Sequence, residues 1–172
     1  MWKVLERTAD VLAWVASTIA RLMLIFVATI LFVQVVLRYV FLFSLPWPEE
    51  AARFLMIWVV MLGGSLLVKD EQLVTVDFFD KLWSPRLLLY RNVLFRLLLA
   101  VLLAVLLWEG INLATFSSNR TTTALEISYF WPYLAIPVGA GLMLFHMIVL
   151  AVRDLLRRAP EDQDPSILRA EF

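Results

Sequence analysis

Apolar positions in this chain fall in long unbroken runs, not in the two-residue alternation of strands or the spaced stripe of a soluble helix. Four such runs, about residues 22–43, 50–68, 94–116 and 129–152, are separated by short charged connections. A helix needs about 20 mainly apolar residues to cross a hydrocarbon core about 30 Å thick. The first, third and fourth runs meet that length unaided, and the second does so by recruiting its flanks. The pattern predicts an all-α integral membrane protein: one domain, residues 1–158, of four transmembrane helices.

Two stretches beside the runs carry a helical stripe instead. In residues 1–21, Leu5, Ala9, Leu12, Ala16 and Ile19 share one face, with Lys3, Glu6, Arg7, Asp10 and Arg21 elsewhere around the helix. This predicts an interfacial amphipathic helix leading into the first span. After the second run, Leu73, Val76, Phe79, Leu82 and Trp83 form an apolar side against Thr75, Asp77, Asp80 and Lys81, and Ser84-Pro85 ends the pattern. A second surface-lying helix is expected at about 74–84, with Asp77, Phe79 and Trp83 as its interfacial anchors. The polar tail, residues 159–172, contains Pro160 and Pro165 and is expected to be disordered.

With 172 residues, 62% of them hydrophobic, and a mean hydropathy of +0.84, the chain has no room for a separate soluble catalytic domain. An enzyme is not expected. The lack of cysteine removes thiolate metal sites, iron–sulfur clusters and thiol catalysis, and a single histidine, His146, disfavours a zinc site or a haem held by a histidine pair. No cofactor is expected in this chain.

The zero net charge hides an asymmetry between the two ends of the helices. With the N-terminus cytoplasmic, that side holds Lys3, Arg7, Arg21, Lys69, Lys81, Arg86, Arg91, Arg96, Arg153, Arg157, Arg158 and Arg169, and the other side only Arg38, Arg53 and Arg120. The positive-inside rule then gives N-in, C-in topology and disfavours an antiparallel, dual-topology dimer. Glu6 and Asp10 spoil the basic region of a signal peptide, and no small-residue cleavage site follows, so the N-terminus reads as mature sequence.

The outer connections hold the densest cluster of unusual residues. Pro48 suits a first helical turn, Glu49 and Glu50 complement its dipole, and Glu49 and Arg53 stand four apart in the order that favours a helical ion pair. A well-made helix start explains them, and docking of a partner is an added possibility. Gly63-Gly64-Ser65 in the second span, and Ala135 and Gly139 four apart in the fourth, allow close approach of another backbone, within this chain or from another subunit. Pro132 and Pro137 read as a bend in the fourth span.

Ionisable residues within spans are functional candidates by default. Arg38 follows Gln34 by one turn near the outer end of span one, where it can snorkel to the interface or pair with Glu49 or Glu50. Glu109 and Asn112 share a face of span three, as a proton or cation path would need or as a solvated interfacial carboxylate would have. His146 reads as a hydrogen-bonded buried histidine. Two function classes fit best: an accessory subunit packed against a larger transport protein, and a self-contained homo-oligomeric proton-coupled exporter using Glu109. The scarcity of polar groups converging on the midplane favours the accessory subunit.

The run Trp47-Pro48-Glu49-Glu50-Ala51-Ala52-Arg53-Phe54-Leu55-Met56-Ile57-Trp58, then Leu62-Gly63-Gly64, Val74-Thr75-Val76-Asp77, and Thr123-Ala124-Leu125-Glu126-Ile127-Ser128-Tyr129-Phe130-Trp131-Pro132-Tyr133 through Ile136-Pro137-Val138-Gly139, resembles one family. That family is the small, DctQ-like membrane subunit of tripartite ATP-independent periplasmic (TRAP) transporters. The resemblance covers about residues 10–155, and the order of the motifs is its specific part. One departure is Gln72, at a position where the family often has histidine.

The resemblance implies a bacterial inner-membrane subunit that partners a much larger elevator-type membrane protein and a soluble periplasmic binding protein, in sodium-coupled uptake of organic acids. Sodium is expected in the large subunit, and substrate binding there too. This chain would widen the immobile scaffold. Arg38, Trp58, Gly63, Gly64, Ala135 and Gly139 are then candidates for subunit packing, and Glu49, Glu50, Arg53, Arg120 and Glu126 for periplasmic docking.

Overall fold

The computed structural model describes the backbone of residues 2–70 and 85–161, and side chains over 5–70 and 94–153. The expected interfacial helix at 74–84, with Asp77, Phe79 and Trp83, and the tail beyond 161 lie outside the described residues. Four long helices make up the described chain: α1 (Trp2–Val40), α2 (Trp47–Lys69), α3 (Pro85–Phe116) and α4 (Phe130–Glu161). A short 3-10 turn, Ser117–Asn119, follows α3. All four helices contain a stretch long and apolar enough to cross a membrane.

Helix α1 joins the N-terminal amphipathic segment and the first span without a break. No glycine or proline occurs before Pro46, so nothing in the sequence interrupts the backbone ladder. At 1.5 Å per residue its 39 residues reach roughly 58 Å, well beyond a hydrocarbon core. It ends where Leu42 turns into the left-handed region at φ 54°, and the Leu37 carbonyl accepts from the N–H groups of both Phe41 and Phe43. Helix α2 then starts with Pro48, Glu49 and Glu50 in its first turn, as their spacing predicted, and the N–H of Asp70 closes its far end on Leu66 and Val68.

Packing is carried by small residues. On α1 the buried positions among the described residues are Ala9, Ala13, Ala16, Ala20, Val27 and Gln34, a stripe whose N-terminal half is all alanine and leaves Leu12 and Ile19 exposed, with Ala16 and Ala20 against Leu62, Trp58 and Leu142. Helices α2 and α4 meet through two glycines. A Cβ on Gly139 would lie 2.6 Å from Met61 Cβ, and one on Gly64 would collide with the Met143 thioether. Gly110 of α3 admits the ring of Pro137, whose Cδ a Cβ there would approach to 2.9 Å. Hydrocarbon tails are as apolar as leucine, so lipid-embedded helices gain little by hiding large side chains from solvent and gain more from close backbone contact.

The contacts arrange the helices as an open row. Among the described residues, helix α1 packs on α2, α2 on α4 and α4 on α3, while α1 touches α4 slightly and α3 makes no more than marginal contact with α1 or α2. Helix α4 is therefore the centre, and its Pro132, Ala135, Ala140 and His146 are almost fully buried. The outer helix α3 turns Trp108 and Phe116 outward along with most of the leucines and valines described from Leu94 onward.

Candidate functional site

At the outer end of the row, two consecutive carboxylates on the first turn of α2 fasten the other elements. Glu49 Oε1 accepts from Gln34 Nε2 at 2.8 Å, and the same amide reaches the Leu45 carbonyl at 3.4 Å, which ties α1 and the α1–α2 turn to α2. Glu50 Oε2 accepts from the backbone N–H groups of Ala124 and Leu125, at 2.8 and 2.9 Å. It thereby holds the loop between α3 and α4 from 74 residues away in sequence. Successive helical positions point about 100° apart, so neighbouring carboxylates can serve two different elements.

The loop that Glu50 grips is itself ordered. Thr121 and Ser128 pair across an isolated bridge, the N–H of Thr122 donates to the Ile127 carbonyl at 2.8 Å, and the N–H of Tyr129 donates to the Arg120 carbonyl at 3.0 Å. Ser128 donates its hydroxyl to the Ser118 carbonyl at 2.7 Å and accepts from the N–H of Phe130 at 3.2 Å, joining the loop to the start of α4. Glu126 sits at the bend with φ 54°. Just below, the Trp58 indole N–H donates to the Trp131 carbonyl at 3.3 Å, and Phe54 meets Tyr129 edge to face.

The expected docking residues therefore divide. Glu49, Arg53, Arg120 and Glu126 are exposed, with the Arg120 guanidinium over the Phe116 ring. Glu50 is only 4% exposed and is engaged inside the chain. Arg38, expected either to snorkel or to pair with Glu49 or Glu50, is exposed, and Gln34 takes Glu49 because it lies one turn deeper, on the buried face of α1. Gln34 was the missed residue. Its signal was an amide inside an apolar run, a group that needs a partner in lipid.

Among the expected packing residues, Gly64, Ala135 and Gly139 are used between α2 and α4, and Trp58 is half-buried between α1 and α4. Gly63 differs: a Cβ added there would meet nothing within 4 Å. It lies in a line with Arg53, Met56, Val60 and Leu67, all exposed and spaced three or four residues apart. That spacing places them on one outward face of α2.

Glu109 and Asn112 are both exposed on α3, beside a shallow surface lined also by Leu113, Thr115 and Phe116. His146 is buried as expected, but neither ring nitrogen has a hydrogen-bond partner among the described residues. Among the described residues no group of three or more His, Cys, Asp or Glu side chains is placed to hold a metal ion.

A row of four helices, each long and apolar enough to cross a membrane and fastened by polar groups at one end, defines an all-helical membrane protein. Comparison with known proteins agrees. Residues 27–157 match the family described as tripartite ATP-independent periplasmic transporters, DctQ component, and the chain belongs to that family. It is a transporter permease component and not an enzyme. It is 34% identical over 119 residues to the sialic acid TRAP transporter permease protein SiaT of Haemophilus influenzae, a match covering 69% of this chain and 19% of that protein. It is 28% identical over 160 residues to the isethionate TRAP transporter permease protein DctMQ of Oleidesulfovibrio alaskensis, covering 84% of this chain and 25% of the relative. The chain thus spans about a fifth to a quarter of these relatives.

Proposed function

We propose that this chain is the small scaffold subunit of a sodium-coupled TRAP transporter for organic acids in the bacterial inner membrane. The observation that carries the reading is the family match together with its extent: in both permease relatives most of the protein lies outside the aligned segment. A large elevator-type membrane subunit is the companion this suggests, and a periplasmic binding protein the deliverer. The names of the two relatives carry a carboxylic and a sulfonic acid, so a small organic anion is the substrate class we assign. Sodium and substrate would bind in the large subunit, and no cofactor is assigned here.

The charge asymmetry supports cytoplasmic termini, which puts the Glu49/Glu50 clasp in the periplasm. In that frame Glu49, Arg53, Arg120 and Glu126 form the surface offered to the binding protein, and the α2 face around Gly63 is the surface offered to the large subunit. The open row supports this division, because a scaffold needs free apolar sides, whereas a self-contained exporter needs an enclosed path. The exposed Glu109 supplies no such path.

Mild-detergent purification of the tagged chain, with mass spectrometry of what accompanies it, tests the reading. A stoichiometric large multispan protein is expected, and the reconstituted pair should take up an organic acid only with an inward sodium gradient and the binding protein present. Recovery of the chain solely as a homo-oligomer, both in detergent and in nanodiscs, would overturn the proposal.

A further inference from the structure

Helix α3 stands at one end of the row and packs on α4 through Leu103, Gly110 and Ala114, all buried, with Gly110 against Pro137. Turned well away from that side, Leu98, Leu102, Val105, Glu109, Asn112 and Phe116 form one exposed line. Their spacing alternates four residues and three, the repeat by which two helices interdigitate along a seam. Glu109 is the one charged residue between Arg96 and Arg120, and both it and Asn112 fall on this line. Neither side chain has a hydrogen-bond or ion-pair partner among the described residues.

The carboxylate lies well inside the span. Glu109 precedes the end of α3 at Phe116 by seven residues, and Pro137, which packs on the adjacent Gly110, follows the start of α4 at Phe130 by seven. At 1.5 Å per residue, both place Glu109 about 10 Å from the polar loop that joins the two helices. Helical side chains lean toward the N-terminus of their own helix. In α3 that direction leads away from this loop, so Glu109 leans deeper and does not snorkel to the near interface. A charge at such depth needs a partner of opposite sign. The chain offers none: α4 carries no charged residue from Phe130 to Phe145, and α1 and α2 make no more than marginal contact with α3 among the described residues.

We propose that the exposed line of α3 is covered by a transmembrane helix of the large membrane subunit, which presents a lysine or arginine to Glu109 and a hydrogen-bonding group to Asn112. A basic side chain on a long apolar stem matches a lone carboxylate set among leucine, valine and phenylalanine. A second copy of this chain meeting it α3 to α3 would set Glu109 against Glu109. Helices α2 and α4 adjoin, as do α4 and α3, so one large partner laid across the row can reach both this line and the α2 face around Gly63. The partner's identity rests on the transporter assignment proposed above, whereas the need for a cation rests on Glu109 alone.

Purification of the tagged full chain with its companion in mild detergent tests the pairing. A photocrosslinker at Asn112 should capture the large subunit, and mass spectrometry of the adduct should locate the captured helix. Glu109→Gln should lower recovery of the large subunit by about tenfold, since removing one member of a desolvated ion pair strands the other, and Glu109→Lys should lower it further. Replacing the nearest lysine or arginine of the captured helix by glutamate should restore recovery with Glu109→Lys. Helical circular dichroism of both variants should stay at wild-type level. Wild-type recovery in both variants, or a crosslink from Asn112 that yields only lipid or a second copy while the large subunit is present, would overturn the inference and leave the transporter assignment standing. A wild-type chain that brings down no large subunit would remove both.

Discussion

Single residues in this chain differ in role even when their identity and spacing match. Gly63 and Gly64 are neighbours, yet a Cβ on Gly64 would strike Met143 while one on Gly63 would enter open space. Gly139 faces both the side chain and the backbone of Met61, which cannot both yield. Gly139→Ala should therefore destabilise the purified chain by about 1–3 kcal/mol, the cost typical of overpacking, read as a lower midpoint in thermal or denaturant unfolding. Gly63→Ala should be neutral or raise stability by up to about 1 kcal/mol, since alanine is the better helix former. The contrast between the two is the decisive quantity. Sequence marked all three glycines as packing candidates because small residues in a span predict close approach; which neighbour approaches is a property of the helix arrangement.

Among the elements, the loop between α3 and α4 depends most on a distant contact. Its internal hydrogen bonds define a bend around Glu126, and Glu50 attaches that bend to α2. Glu50→Ala should leave the four helices intact and loosen the loop, with amide exchange at Ala124 and Leu125 faster by about tenfold, as expected when local opening becomes easier. Exchange within α4 should stay at the wild-type rate. The helix start at Pro48-Glu49-Glu50 was legible in the sequence because its chemistry is local. The grip on residues 124 and 125 was not, since a carboxylate that complements a helix dipole and one that captures a remote loop look alike in one dimension. Helix α1 shows the reverse case: its continuity follows from the absence of glycine and proline, a feature written plainly in residues 1–43.

On the scale of the whole molecule, the row leaves broad apolar sides on α1, α2 and α3, and lipid alone cannot decide which of them meets a partner. The notch at Gly63, flanked by Met56, Val60 and Leu67 with Arg53 above, is where a bulky substitution should discriminate. Gly63→Trp should lower recovery of the large subunit in pull-down by about tenfold, equivalent to about 1.4 kcal/mol of association energy, with the melting midpoint of the isolated chain unchanged. Arg53→Glu should instead reduce uptake at limiting binding protein while leaving the membrane pair intact, and the deficit should shrink as salt screens the surface charge. Full complex recovery and full uptake in both variants would remove the α2 face from the proposed interface.

The sequence by itself determined the class of this protein: helical, membrane-spanning, without cysteine, and ordered in motifs like those of the DctQ family. Those properties follow from the length of apolar runs, from composition and from motif order, all of which are one-dimensional. The tertiary structure alone decided that the helices lie in a row centred on α4, that Ala9, Ala13, Ala16 and Ala20 form the N-terminal half of the buried stripe of α1, and that Glu50 is spent inside the chain. It also brought Asp10, Lys69 and His146 to one pocket. In spans where nearly every position is apolar, hydrophobicity no longer distinguishes the inward face from the outward one. Close packing of small residues and the pairing of scattered polar groups make that choice, and both depend on which helices become neighbours.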